Sequence, residues 1–146
     1  MKRSHALAPL SRDHHVGLVV AQKLRRATTE TLASARQDFL AFWESDGQRH
    51  FRVEEGVLLP RLARHGEAVH EAVVRVLVEH VEIREAALRL EEDAAPPIEE
   101  MHALGALLNG HIRHEERTLF PLIEKELSED ELVDFAAAVE RAERER

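Results

Sequence analysis

The chain contains one unusual eleven-residue pattern twice, and this repeat constrains the fold more than any other feature. Residues 50–60 read HFRVEEGVLLP and residues 111–121 read HIRHEERTLFP, so both follow H-x-x-x-E-E-x-x-L-[LF]-P. In each copy a histidine precedes a glutamate by four residues, a spacing that places both side chains on one face of an α-helix. Each copy therefore predicts a helix that directs a His–Glu pair toward one point.

The spacing of apolar residues predicts four long helices and a short fifth one. The last helix should open with a capping box at residues 128–131, SEDE, and its charged end should fray. Pro60 should kink the second helix or bring its end nearer. The expected helices cover residues 10–31, 33–64, 67–92, 98 to about 126, and 129–143.

Short connections make sequential helices antiparallel neighbours. The expected fold is therefore all-α, an antiparallel up-down-up-down four-helix bundle with a short fifth C-terminal helix, in one domain over residues 1–146. The net charge of −8 argues against nucleic acid as a partner. No apolar run reaches the length that a bilayer needs, and the N-terminus has no apolar secretion signal, so we expect a cytoplasmic protein.

Histidine is the commonest metal ligand, and the chain has ten histidines but no cysteine. A lone histidine preceded by an acid falls on the first helix, at Asp13 and His14, and on the third, at Glu79 and His80. The chain is thus a helical hairpin used twice, in which each half supplies His and then His-x-x-x-Glu. Ionised glutamates on an inward face are costly unless they are paired or bind a metal. Carboxylates and imidazoles without sulfur suit iron, manganese or zinc.

Two histidine assignments need a choice. Either His14 or His15 could be the first-helix ligand, and the apolar or small residues at helical spacing from His14 favour His14. His114 lies one turn from His111, as a spare ligand or as a proton carrier beside the ligands, and we favour the second role. The other histidines are expected on the surface or at helix ends. The glutamates that follow the paired ones are expected to be solvated charges that help to orient ligands from outside, and these are Glu55 and Glu116.

These residues resemble the hemerythrin-like family, specifically the branch called the HHE cation-binding domain. The resemblance extends from LSRDHH at residues 10–15 to HIRHEERTLFPLIE at residues 111–124, which is nearly the whole chain. It implies a four-helix bundle around a non-haem di-iron centre, two Fe ions with an oxo or hydroxo bridge from solvent. Carried over position by position, the metal ligands that it implies are His14, His50, Glu54, His80, His111 and Glu115.

The sequence departs from the oxygen-carrying hemerythrins of invertebrates. Those proteins have a second histidine one turn from the third-helix ligand, whereas the residues four positions from His80 are Val76 and Arg84. Their fourth-helix carboxylate is an aspartate five residues after its histidine, whereas Glu115 follows His111 by four. Two histidines per iron, two bridging carboxylates and a solvent bridge would leave each iron about five-coordinate and open to a further ligand.

An open site of this kind favours reaction or sensing over reversible oxygen storage. The leading hypothesis is a di-iron protein that binds or senses oxygen or a related small oxidant, peroxide or nitric oxide. One alternative is a di-iron redox enzyme that consumes peroxide, with His114 or His15 as its acid–base group. Another is an iron-dependent regulatory module with an apolar patch on the fifth helix. The residues expected to line the site and exclude water are Phe39, Phe42, Trp43, Leu58, Leu107 and Leu119.

Overall fold

The structure is a computed structural model that describes residues 3–67 and 70–145. These residues form five helices and no β-strand, which confirms the all-helical prediction. No described helix is both long enough and apolar enough to cross a bilayer. The helices are α1 (Ala8–Arg25), α2 (residues 32–63), α3 (Glu71–Glu92), α4 (residues 98–126) and α5 (Glu129–Arg144).

Two of these helices, α2 and α4, contain wider π-helical turns within otherwise α-helical backbone. In α2 the α-helical parts are Leu32–Phe42, Gln48–Val53 and Leu59–Ala63, separated by π-helical turns at Trp43–Gly47 and Glu54–Leu58. The α-helical parts of α4 are Ile98–His114 and Phe120–Glu126, with one π-helical turn between them at Glu115–Leu119. The second turn of α2 and the turn of α4 fall at the same place in the repeated pattern.

The helix ends have local causes. Helix α1 ends before the predicted residue 31, because the hydroxyl groups of Thr28 and Thr31 accept hydrogen bonds from each other's N–H groups. Helix α2 ends in a Schellman motif, in which Gly66 has a φ of 78° and the N–H of Glu67 donates to the carbonyl of Leu62. Glycine adopts this left-handed conformation without strain.

The boundaries of α3 and α5 differ from the predicted ones. The predicted start of the third helix included residues 68 and 69, which lie outside the described residues, and α3 begins at Glu71 with the ring of His70 as its N-cap. The capping box of Ser128 and Glu131 is confirmed. Helix α5 has 16 residues and ends at Arg144, one residue beyond the predicted end.

The apolar core has two parts, and each of the first four helices contributes to both. Successive helices cross the two parts in opposite order. Helix α1 runs from the part that contains Leu10 to the part that contains Leu24, and α2 runs from the second of these parts back to the first. Buried polar residues lie between the two parts on every one of these helices. The aromatic cluster includes Leu24, Phe39, Trp43, Ile83, Leu90, Leu104 and Leu108, and the leucine cluster includes Leu10, Leu58, Leu62, Val73, Leu119, Phe120, Ile123 and Phe135.

Candidate metal centre

Four histidines and two glutamates meet in the polar layer between the aromatic and leucine clusters. None of the six residues is more than 4% exposed, although such residues are rarely buried this fully without partners. The structure therefore brings together every residue that the family resemblance implies as a ligand. They are His14 on α1, His50 and Glu54 on α2, His80 on α3, and His111 and Glu115 on α4.

The six residues form two groups of four that have both glutamates in common. Within each group, one candidate ligand atom per residue lies within 4.8 Å of the others. The first group adds His14 and His50 to the two glutamates, and the second adds His80 and His111. Two overlapping sites that share two carboxylates are the arrangement found in helix bundles that hold paired metal ions.

Glu115 divides its two oxygens between the two groups. Its Oε1 lies 2.8 Å from Nε2 of His14 and 3.4 Å from Nε2 of His50. Its Oε2 lies 3.2 Å from Nε2 of His111. The carboxylate therefore faces one histidine pair with each oxygen, as a bridge between two cations requires.

Glu54 is placed in the same way from the opposite side of the layer. Its Oε2 lies 3.2 Å from Nε2 of His50, and its Oε1 lies 3.0 Å from Nε2 of His80. The duplicated sequence pattern thus produces two equivalent carboxylates, each directed between a histidine of one group and a histidine of the other.

Each of these two glutamates is also the first residue of a π-helical turn. The N–H of Leu59 donates to the carbonyl of Glu54, five residues back, and the N–H of Phe120 donates in the same way to Glu115. The proline that ends each pattern copy comes next and has no N–H to continue the α-helical bonding. Isolated π-helical turns within α-helices are frequent at functional sites. Helix α2 ends soon after Pro60, as the sequence predicts.

Every histidine of the layer has its other ring nitrogen, Nδ1, against a carboxylate. Nδ1 of His14 lies 2.5 Å from Oε2 of Glu116, and Nδ1 of His80 lies 2.5 Å from Oε2 of Glu55. These two glutamates were expected to be solvated, but both are partly buried, and they do orient histidines. We call them outer acids, together with the two described next.

The remaining outer acids come from the residues that precede His14 and His80. Asp13 Oδ2 lies 3.1 Å from Nδ1 of His50, and Glu79 Oε1 lies 2.9 Å from Nδ1 of His111. A carboxylate that accepts from Nδ1–H fixes the tautomer and leaves the Nε2 lone pair facing inward, as metal-binding histidines require. The sequence shows Asp13 and Glu79 as acids that directly precede a lone histidine. It does not show that they contact histidines on other helices.

The pKa values reflect a layer that is crowded with carboxylates. Burial lowers the pKa of His80 and His111, but hydrogen bonds and charges from the glutamates outweigh it and raise them to about 9 and about 10. Burial raises the pKa of Glu115, but the charge of His111 outweighs it and holds that pKa well below its usual value. Protons on the imidazoles therefore balance negative charge in the metal-free chain.

The donor set fits a cation better than it fits protons alone. Three buried atoms in the layer have no hydrogen-bond partner among the described residues: Glu54 Oε2, His111 Nε2 and Glu115 Oε2. His111 Nε2 and Glu115 Oε2 are 3.2 Å apart but lack hydrogen-bond geometry. Unpaired buried polar atoms are costly, and metal ions held by the two groups would satisfy all three.

A small cavity of about 20 Å³ lies beside the layer. This volume holds little more than one water molecule. Phe42 and Trp43 line it as predicted. Phe39 lies in the aromatic cluster without lining the cavity, Leu58 and Leu119 belong to the leucine cluster, and Leu107 is only half-buried at the edge of the aromatic cluster. The cavity lining consists of Asp13, His14, Phe42, Trp43, Gly47, His50, Phe51, Leu108, His111 and Ile112.

Two glycines allow the wall of this cavity to close. A Cβ at Gly17 would lie 2.8 Å from Cδ1 of Ile112, and one at Gly47 would lie 2.7 Å from Cε3 of Trp43. Phe51 was not expected at the site, but its ring stacks on His80 with 3.7 Å between centroids. Its apolar type and position were visible in the sequence, but the contact with a different helix was not.

The structure distinguishes His14 from His15, and His111 from His114, by position. His14 is buried in the layer, while His15 is exposed on the other side of α1. His114 belongs to neither group, and its Nε2 lies 3.0 Å from the carbonyl of Ala72. It is therefore not placed as a spare ligand. The other histidines are where we expected them, with His70 at the start of α3.

A buried arginine connects this layer to the last helix. Arg49 is 8% exposed, and its guanidinium contacts three carboxylates. Its Nη2 lies 3.1 Å from Oδ1 of Asp46 and 3.4 Å from Oδ1 of Asp13, and its Nε lies 3.1 Å from Oε2 of Glu143 on α5. Asp13 in turn orients His50, so α5 is linked to the histidine layer through only two intervening side chains.

Comparison with known proteins also supports a metal-binding site in this layer. Searches of curated proteins and of solved structures found no match. A family model described as the hemerythrin HHE cation binding domain matches residues 5–123, which include all six residues of the layer. The buried cluster of histidines and glutamates fits a metal-binding site. The chain belongs to the hemerythrin HHE cation-binding family.

Proposed function

We propose that this chain is a di-iron protein that binds or senses oxygen or a related small oxidant such as peroxide or nitric oxide. The proposed ligands are His14, His50, Glu54, His80, His111 and Glu115. The observation that carries the proposal is the sharing of Glu54 and Glu115 by two donor groups. Imidazole and carboxylate donors suit iron, and manganese or zinc would be accepted by the same set.

The donor count supports a site that is open to a small ligand. Each group has two histidines and two shared carboxylates, and the position one turn before His80 holds the apolar, fully buried Val76. Bound iron would supply a redox-active cation with room for one more ligand. The histidines would hold it through Nε2 while the outer acids keep the Nδ1 protons of these histidines in place.

The size and lining of the cavity support a ligand of two or three atoms. The cavity of about 20 Å³ is lined by Asp13, by three histidines of the layer and, for the rest, by glycine and apolar side chains. An apolar wall excludes bulk water, which protects an oxidisable metal and favours an uncharged diatomic ligand. A substrate of metabolite size does not fit without rearrangement.

The alternative of a redox enzyme has less support. His15 is exposed, and His114 is held by the carbonyl of Ala72. Neither of these proposed acid–base groups is therefore placed to move a proton at the cavity. The regulatory alternative also loses the feature that we sought, because the apolar face of α5 is packed through Phe135 and Val139.

The polypeptide frame is part of the proposal. The alternating order in which α1 to α4 pass through the aromatic and leucine clusters supports an antiparallel up-down-up-down bundle. In such a bundle, two adjacent hairpins each present one copy of the repeated pattern to the centre. The cytoplasmic location remains a prediction from the sequence.

The first experiment is to measure metal content and the visible spectrum of protein purified without added metal, before and after exposure to air. We expect about two irons per chain and charge-transfer bands of a bridged pair. Bands that disappear and return with removal and restoration of oxygen support binding or sensing. Bands that are fixed after one oxidation, with peroxide then consumed, support the enzyme. A stably folded chain without metal overturns the proposal.

A further inference from the structure

Helix α3 has a stripe of exposed apolar side chains on the face that points away from the core. Eight large apolar side chains of the described residues are notably exposed, and five of them lie on this single helix. Steps of three, four and seven residues align them along the helix. We name this surface the α3 stripe, and its members are Val74, Leu77, Val78, Val81 and Leu88, which are 40% to 63% exposed.

Exposed charged residues of both signs lie along the α3 stripe. They are Glu71, Arg75, Glu82, Glu85 and Arg89, and within the chain Arg75 contacts Glu79 and Arg89 contacts Glu85. About a twofold axis at residue 80, an antiparallel copy of α3 places Glu71 opposite Arg89 and Arg75 opposite Glu85, and the symmetry repeats both pairs. A parallel copy would instead place each charge opposite its own equivalent. The charges along the α3 stripe are therefore complementary to those of a second copy in the antiparallel direction alone.

We infer that the α3 stripe is the contact through which two copies of this chain pair, with their α3 helices antiparallel. The twofold axis passes between Val78 and Val81, at the centre of the apolar residues. An apolar centre with a charged rim is the usual anatomy of such interfaces. Helix α3 has 22 residues and is roughly 33 Å long, which provides a long line of contact. This inference does not depend on bound metal.

Cysteine substitutions test the direction of pairing, because the natural chain has no cysteine. In the antiparallel pair, Val78→Cys lies near its equivalent, whereas Leu88→Cys lies roughly 26 Å along the axis from its own. Mild oxidation should link most Val78→Cys chains into disulfide dimers and leave Leu88→Cys chains unlinked on a denaturing gel. Equal linking of both variants, or no linking of Val78→Cys, overturns the inference.

Sedimentation of the complete chain over a range of concentrations tests the stripe itself. We expect a monomer–dimer equilibrium whose dissociation constant rises at least about 100-fold in Val78→Glu combined with Val81→Glu. The matched control is Val16→Glu combined with Val19→Glu, which adds the same charges to exposed valines of α1 and should leave the equilibrium unchanged. A monomer at every concentration, or equal dissociation by the control, overturns the inference.

Charge reversal separates contacts between chains from contacts within one chain. Glu71 and Arg89 are roughly 27 Å apart on the same straight helix, so they cannot pair within a copy. Arg89→Glu should weaken the dimer about tenfold, since like charges then face each other at two symmetric points. Adding Glu71→Arg should restore the affinity. Failure of the double variant to restore it excludes the antiparallel register.

Discussion

The two halves of the molecule carry the same donors but different surroundings. The first half, α1 and α2, and the second half, α3 and α4, each supply an acid and a histidine on one helix and His-x-x-x-Glu-Glu on the next. In the first half, the acid of the histidine pair, Asp13, also contacts the buried Arg49. In the second half, its counterpart Glu79 pairs with Arg75, whose side chain is 52% exposed.

The two halves also differ in how closely their histidines approach the cavity. The cavity adjoins His14 and His50, both from the first half, and only His111 from the second. His80 is covered by the stacked ring of Phe51. The two halves thus share their donors and differ in what surrounds them, so we expect two cation positions with equal donors but unequal access and unequal anchoring.

The largest expected effect comes from removing a shared carboxylate. Glu115→Ala should reduce the metal content from about two ions to none, because both donor groups lose a ligand. His50→Ala affects only the first group and should leave about one ion bound in the second. Metal analysis after dialysis measures both. His114→Ala is the control and should keep the full content, and retention of metal by Glu115→Ala would contradict the bridging role.

Anchoring should differ strongly between the halves. Arg49→Met leaves three carboxylates without their buried partner and should lower the free energy of unfolding by about 3 kcal/mol. Arg75→Met removes an exposed partner of Glu79 and should cost less than about 1 kcal/mol. Urea unfolding of metal-free chains measures both changes. Equal values would mean that the guanidinium in the first half is not an internal anchor.

The outer acids allow the halves to be compared without touching a ligand. Glu116→Ala in contact with His14 and Glu55→Ala in contact with His80 should each weaken metal binding about 10- to 100-fold, since an oriented imidazole becomes free to turn. Glu116→Gln and Glu55→Gln keep an acceptor oxygen and should recover part of the loss. Competition with a chelator provides the affinities. An affinity unchanged in both alanine variants would remove the orienting role.

The histidine contribution to the stability of the metal-free fold should fall as the pH rises, whereas the affinity for metal should increase. The raised pKa values of His80 and His111 stabilise the metal-free fold fully below pH 6.5, and this contribution is lost as the pH rises through about 9 and about 10. The lowered pKa of Glu115 stabilises it above pH 4.5, and that contribution is lost in acid. Metal binding must displace the imidazole protons, so affinity should increase with pH.

Calorimetric titration with Zn²⁺ in two buffers of different ionisation enthalpy measures this displacement. We expect at least about one proton released per ion bound at pH 7, and fewer above pH 10, where the imidazoles are already neutral. A release of zero at pH 7 would show that the histidines are neutral before the metal arrives.

The smallest expected effect concerns the cavity. Ile112→Val should enlarge it by one methylene group and raise the association rate of nitric oxide a few-fold, at a cost of about 1 kcal/mol in stability. Ile83→Val removes the same group from the aromatic cluster away from the cavity lining, so it should cost as much stability and leave the rate unchanged. Flash photolysis of the nitric oxide complex supplies the rates.

The sequence predicted those features that depend on spacing within one helix. His14 could be preferred to His15, and the histidine and glutamate of each pattern copy could be placed on one face, because helical periodicity fixes both. The capping box of α5 is local in the same sense. These features need no knowledge of how distant segments meet.

The features that the sequence did not predict arise from contacts between helices. Neither the pairing of Asp13 with His50 nor the link from Arg49 to Glu143 has a local signal, because 37 and 94 residues separate the partners. The same holds for Phe51 against His80. The charged end of α5 was expected to fray, whereas Glu143 in its last turn contacts Arg49.

The outer acids also have a consequence for how the two hairpins depend on each other. Glu116 of the second hairpin holds His14 of the first, and Glu55 of the first holds His80 of the second, while Glu115 and Glu54 reach across in the same way. Neither hairpin alone therefore contains a complete binding geometry. A single hairpin could assemble this site only by pairing with a second one.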